Sequence, residues 1–204
     1  MNNPSNDTIK VWDILVRIFH WALVFFFFLA FLTEDDWMTV HSYAGYSVGA
    51  LVLFRLVWGI IGTRHARFTD FITGPVKLIS YLKNLFSNTS KRYIGHNPAG
   101  AAMVVTLLIS LSLTVLTGTA LYATEGLGPL SDTFFSSWSE DFLEESHEFF
   151  ANFTLLMVFI HVAGVLFSSL IHQENLVRSM ITGLKRKETD PVISSKASQD
   201  DERS

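Results

Sequence analysis

A chain of 204 residues in which 49% of side chains are hydrophobic and 17% charged is too apolar for an ordinary water-soluble domain, and its mean hydropathy of +0.32 arrives in blocks. The absence of cysteine excludes disulfides, thiolate-held iron–sulfur clusters and covalently attached c-type haem. The net charge of -4 says little as a sum and a nucleic-acid partner is not expected, but the placement of the charges along the chain is informative.

Four apolar stretches, residues 14–32, 41–61, 99–122 and 147–171, approach or exceed the ~17 to 25 residues that carry a helix across a bilayer core. Barrel strands would be only about ten residues long and would alternate, so the expected fold is all-α. It is a four-helix transmembrane bundle with short interfacial helices in its loops. The connections 33–40 and 123–146 contain no Lys or Arg; the basic residues are Lys10 and Arg17, then Arg55 through Arg92, then Arg178 to Arg203. The positive-inside rule therefore expects both termini in the cytoplasm, in a bacterial inner membrane, with the first span a retained signal-anchor. Residues 1–188 read as a single domain and 189–204 as a disordered polar tail.

The first span is entered through VWDILVRIFHW, which sets Trp12 and Arg17 near the cytoplasmic interface and His20 a few residues inside. Phe25 to Phe28 read mostly as lipid-facing, and Glu34, Asp35, Asp36 and Trp37 mark the outer surface. The second span opens on His41. Gly45 and Gly49 lie on its stripe, suited equally to close helix packing and to clearance for a flat macrocycle, and Arg55 near the inner end requires an anionic or polar partner. In the loop 62–98, Pro75 can open a helix that lays Val76, Ile79, Leu82 and Phe86 along one side, with Lys77, Lys83, Lys91 and Arg92 toward headgroups. The third span carries Thr106, Ser110, Ser112, Thr114, Thr117 and Gly118 but no histidine, and its expected role is packing. The connection 123–146, acidic with Phe134, Phe135, Trp138 and Phe142, reads as an interfacial helix or lid; HQENLVRSMITGLKRK after the fourth span reads as basic and amphipathic.

Ionisable groups at membrane depth are expensive and mark function. Depth sorts the histidines into pairs. His20 and His161 lie toward the cytoplasmic side, whereas His41 and His147 begin their spans at the outside. On the last helix His147 and His161 are fourteen residues apart, which advances roughly 21 Å and returns to within about 40° of one face. The expected result is two stacked bis-imidazole sites, His20 with His161 and His41 with His147. Two histidines on facing helices can fill both axial positions of a haem iron, giving a one-electron centre with no open coordination position. A bound zinc, copper or transported ion is the rival reading, but it favours tighter clusters and carboxylates within the spans. Those are missing from this sequence. His65, His96 and His172 read as loop or helix-end residues and not as ligands.

The stretches VRIFHW, HSYAGYSVGALVLFRLVWG, RYIGHNPAG, HEFFANFTLLMVFIH and HQENLVRSMITG together resemble the prokaryotic cytochrome b561 and nickel–iron hydrogenase b-type cytochrome subunit family, from about Val11 to Gly183. The resemblance implies two non-covalent b haems, with one ligand from each of helices 1 and 2 and two from helix 4. Carried over, these are His20, His41, His147 and His161. It also implies electron exchange with the quinone pool.

The functional expectation is a di-haem electron carrier, or a quinone-linked oxidoreductase, between quinone and a periplasmic partner such as cytochrome c; the acidic outer face reads equally as a surface that steers such a partner and as the plain counterpart of the positive-inside rule. Arg17, Arg55 and Arg64 are candidate partners of the inner haem's propionates, and neutral donors such as Trp37, Tyr43 or Trp138 of the outer haem's. Arg55, His96 and Asn97 are the candidate quinone residues. Rival expectations are a membrane anchor that accepts electrons from a periplasmic hydrogenase or dehydrogenase subunit, and a superoxide oxidase. Membrane lipid is an expected partner in each case, and a homodimer is an expected assembly.

Overall fold

The structure, a computed structural model, describes residues 8–34, 37–86, 93 and 95–187. Asp35, Asp36, Lys91, Arg92 and the expected tail at 189–204 lie outside the described residues. The elements run β1 (Thr8–Lys10), α1 (Ile14–Leu32), α2 (Met38–Ile61), α3 (Phe68–Phe71), α4 (Pro75–Phe86), α5 (Pro98–Thr124), a 3-10 turn (Phe134–Ser137), α6 (Glu140–Ile171), α7 (Leu176–Thr182) and β2 (Leu184–Arg186). Among them α1, α2, α5 and α6 are long and apolar enough to cross a membrane. Much of their apolar surface faces outward, as at Ile60 (73% exposed) and Leu170 (77%), which a water-soluble bundle would hide.

Three of the four spans, α1, α5 and α6, start where a side chain answers an unpaired N–H, whereas α2 starts at Trp37 without one. Asp13 accepts from Val16 N at 2.9 Å, Asn97 from Gly100 N at 2.7 Å ahead of Pro98, and Ser139 from Phe142 N at 3.3 Å. The last of these corrects an expectation. The acidic connection is not a separate interfacial helix through residue 146: from Glu140 it is the first two turns of α6, with Glu140 and Asp141 opposing the positive end of the helix dipole. Likewise α2 begins at Met38, placing His41 within the helix instead of at its first residue.

The spans pack as two hairpins, α1 along α2 and α5 along α6, joined through α2 and α5. Phe27, Val48, Val52, Leu108 and Leu111 form the buried core between them. Between α5 and α6 the closest tie is polar. Ser110 and Thr154, both buried, share a 2.5 Å hydrogen bond, the kind of small-residue contact that holds helices together in lipid, where the hydrophobic effect does not. Of the phenylalanine run, Phe25 and Phe28 face outward while Phe27 belongs to the core and Phe26 packs against it. On α4, Val76, Ile79 and Leu82 are exposed while Tyr81 is buried against Tyr93, so these three members of the expected apolar stripe face away from the protein.

Two departures concern the end of the bundle where the chain enters and leaves, here the basic end. Trp12 does not sit exposed at an interface but is buried with Val11, Val16 and Ala66. The segment beyond α6 is not one amphipathic helix: α7 stops at Gly183, in the left-handed region (φ +80°), and β2 then pairs antiparallel with β1, an element that the sequence reading did not contain.

Candidate functional site

At the opposite, acidic end, His41 of α2 and His147 of α6 face each other with ring centroids 6.0 Å apart. Neighbouring helices hold both rings. His41 Nδ1 donates to the Ala30 carbonyl of α1 and His147 Nδ1 to the Thr114 carbonyl of α5, each at 2.9 Å. A carbonyl only accepts, so both Nδ1 atoms carry a proton, which in a neutral imidazole leaves on Nε2 the lone pair that a metal requires. His147 reaches Thr114 because residue 118 is glycine: a Cβ there would lie 2.6 Å from His147 Cε1.

At the basic end, His20 of α1 and His161 of α6 stand with centroids 6.5 Å apart. This pair lacks the same support. His20 Nδ1 is buried with no hydrogen-bond partner.

The residues present fit a haem at each pair. With metal–nitrogen bonds of about 2 Å, two axial imidazoles across one iron have centroids roughly 6 Å apart. Among the described residues no group of three or more His, Cys, Asp or Glu converges, so each pair offers two donors, the number needed when a porphyrin supplies the other four. The glycines divide. A Cβ at Gly45, one turn from His41, would meet nothing within 4 Å, as the macrocycle reading requires, whereas one at Gly49 would lie 3.0 Å from Val115 Cγ1, which is helix packing. In the sequence Gly118 reads only as a small packing residue. Gly118 was detectable only by asking which residue of the histidine-free helix shares the depth of His147.

The other candidates gather at the basic end. Arg55 is buried (4% exposed), its guanidinium 4.8 Å from the Phe68 ring centroid and 5.9 Å from that of Phe71, with Nη1 lacking a partner. Gly59 permits this cover, since Phe68 lies where a Cβ would be. His96 packs against Trp12 (4.7 Å) and Phe71 (4.4 Å), and its Nδ1 is buried without a partner. Burial, and then the Arg55 charge, pushes the His96 imidazole down to about 3, so it is neutral at physiological pH. Asn97 is separated from these two in role, because its Oδ1 caps α5. Arg17 donates from Nη2 to the Ile181 carbonyl, and Arg64 is exposed. Asp13 ties the entry of α1 to the end of α2 through Trp58 Nε1 (3.2 Å) and Thr63 Oγ1 (2.5 Å). Burial pushes its carboxyl up, but these bonds and that from Val16 N outweigh it and hold the group below its usual range. Trp37, Tyr43 and Trp138, named for the outer propionates, are all exposed.

Comparison with known proteins agrees with this architecture. The profile of the family described as prokaryotic cytochrome b561 matches residues 11–183. The probable Ni/Fe-hydrogenase B-type cytochrome subunit of Azotobacter vinelandii is 29% identical over 168 residues, covering 74% of this chain and 68% of that protein. Its namesake in Rhodobacter capsulatus is 26% identical over 74% of this chain and 63% of its own length, and that of Bradyrhizobium diazoefficiens 24% identical over 88% and 86%. No solved structure gives a significant match.

Proposed function

The chain belongs to the prokaryotic cytochrome b561 family, a multi-pass membrane b-type cytochrome of electron transfer, and from that premise we propose that it carries electrons through two b haems between quinone and a periplasmic redox partner. The observation that carries the reading is the two facing imidazole pairs, His41–His147 and His20–His161, each with one member on α6. His20, His161, His41 and His147 would hold the haems, which when bound would supply one-electron centres. The chain's own residues do the rest. Ala30 and Thr114 carbonyls fix the tautomer of the acidic-end histidines, Gly118 leaves room for the His147 ring, Gly45 leaves open space one turn from His41, and the apolar helices exclude water. Arg55 sets a buried positive charge at the basic end, where it answers a propionate or a quinone oxygen, with neutral His96 beside it as a second polar contact.

In this reading the protein is one domain in the inner membrane, with its basic end cytoplasmic because lysine and arginine are confined there. The names of the relatives favour a hydrogenase-type subunit as the periplasmic partner over cytochrome c. The acidic end carries Glu140, Asp141, Glu144, Glu145 and Glu148 with no cation in its connections, which suits a basic docking face and repels superoxide.

The test is a haemochrome count on the purified protein. Two b haems per chain are expected, falling toward one in His161→Ala and toward one, of the other spectral component, in His147→Ala. A well-folded chain without haem would overturn the reading. Co-purification of an iron–sulfur partner decides between hydrogenase and cytochrome c.

A further inference from the structure

The helices that carry the basic-end histidines, α1 and α6, belong to different hairpins and scarcely touch along their lengths. What joins them is below the bundle. Thr8, Ile9 and Lys10 pair with Arg186, Lys185 and Leu184; Val11 N and Trp12 N both donate to the Gly183 carbonyl, at 2.9 and 3.2 Å; and the Arg17 guanidinium donates to the Ile181 carbonyl. The far strand is itself fastened to the end of α6. Arg186 donates to the Gln173 carbonyl at 2.9 Å, and buried Lys185 lies 3.8 Å from buried Glu174. The join turns on Gly183, whose φ of +80° disfavours a side chain and where a Cβ would lie 2.7 Å from the Trp12 carbonyl oxygen.

Resting on the di-haem reading above, we infer that this strand pair is a clasp that sets the spacing of α1 and α6 and thereby holds His20 and His161 at ligating distance. The acidic-end rings take their placement from carbonyls on adjacent helices; His20 has none. Its position then depends on where α1 stands relative to α6. His20 lies about 10 Å along α1 from the clasp, and His161 about 15 Å from the end of α6. Metal–ligand distances hold within about 0.2 Å, so a small splay of the two helices is enough to detach one imidazole. Gly183 and Arg17 are therefore positioning residues that act through the histidines.

Two variants of the full protein test this: Gly183→Val, and a chain ended after Gly183, which removes β2. Because the sequence has no cysteine, spin labels at Leu15→Cys and Leu170→Cys report the α1–α6 distance without background. In both variants the distance distribution is expected to lengthen or broaden. The haem assigned to His20–His161 by its loss in His161→Ala should become able to bind carbon monoxide, with at least a fivefold rise in the CO-reactive fraction, while the His41–His147 haem keeps its low-spin signature. Wild-type label distances and CO reactivity in either variant, or equal damage to both haems, would overturn the clasp. Fewer than two haems in the wild type would instead sink the functional reading, and the label distances would still judge the clasp.

Discussion

At the acidic end of the bundle each imidazole gives its Nδ1 proton to a main-chain carbonyl of a neighbouring helix, Ala30 for His41 and Thr114 for His147; at the basic end His20 Nδ1 is buried with nothing to bond. The same residue type, at similar ring separations of 6.0 and 6.5 Å, is thus held by two different means. A carbonyl in a helix is a rigid acceptor that fixes tautomer and ring direction together. The basic end relies on non-local ties and on charge: the clasp beneath it, Arg55 under its aromatic cover, and Asp13 bonded to Trp58 and Thr63. The acidic end should therefore be sensitive to local side-chain volume, and the basic end to long-range contacts, pH and charge.

The largest effect expected from this contrast is Gly118→Val. Its added carbons overlap the His147 ring and push it off Thr114, so haem affinity at the acidic end should fall by about 10- to 100-fold, the usual consequence of losing a ligand's orienting partner. Haem titration of the apoprotein checks this, and equal losses from both ends would break the comparison.

Next in size is a pH effect at the basic end. His96 sits at about 3 in the folded protein against an ordinary 6.5, so between those values the unfolded chain binds a proton that the native chain does not. Its contribution to stability is complete above pH 6.5 and is lost as pH falls below it, by about 1.4 kcal/mol per unit. Denaturation at pH 7.5 and 5.5 should show this loss, and His96→Leu should reduce the difference by the share that His96 contributes. An unchanged pH dependence in that variant would count against the buried neutral imidazole.

The smallest effect is electrostatic. Arg55→Met removes a buried positive charge that favours the reduced state of a nearby centre, so the potential of the basic-end haem should drop by a few tens of millivolts while the acidic-end haem stays in place. Redox titration of the two components separates them. A shift of the acidic-end haem alone would reverse the proposed depth of the two sites.

Part of this arrangement is legible in the sequence and part is not. Long apolar runs and the depths of His20, His41, His147 and His161 are properties of the chain read in one dimension, and the four spans include the stretches that hydropathy marks. The start of α6 was missed by seven residues although Ser139, Glu140 and Asp141 are capping signals, because the first two turns rise above the apolar run and hydropathy ignores them. Gly118 looked like one more small residue in a packing helix, since nothing local tells a glycine beside a histidine ring from a glycine beside a leucine. Arg17 was read as an interfacial cation, whereas its guanidinium reaches a carbonyl 164 positions away.

By itself the sequence determined that this protein spans a membrane four times and brings histidines to two depths, because a bilayer converts the length and polarity of each segment directly into position. Only the tertiary structure decided how those histidines are held. The Thr114 and Ala30 carbonyls, the contact of Phe68 with Gly59 and the pairing of Thr8–Lys10 with Leu184–Arg186 all depend on which helix lies beside which. Three-residue strands have no periodicity of their own to announce them, and they exist here because the packed bundle brings the two ends of the chain together.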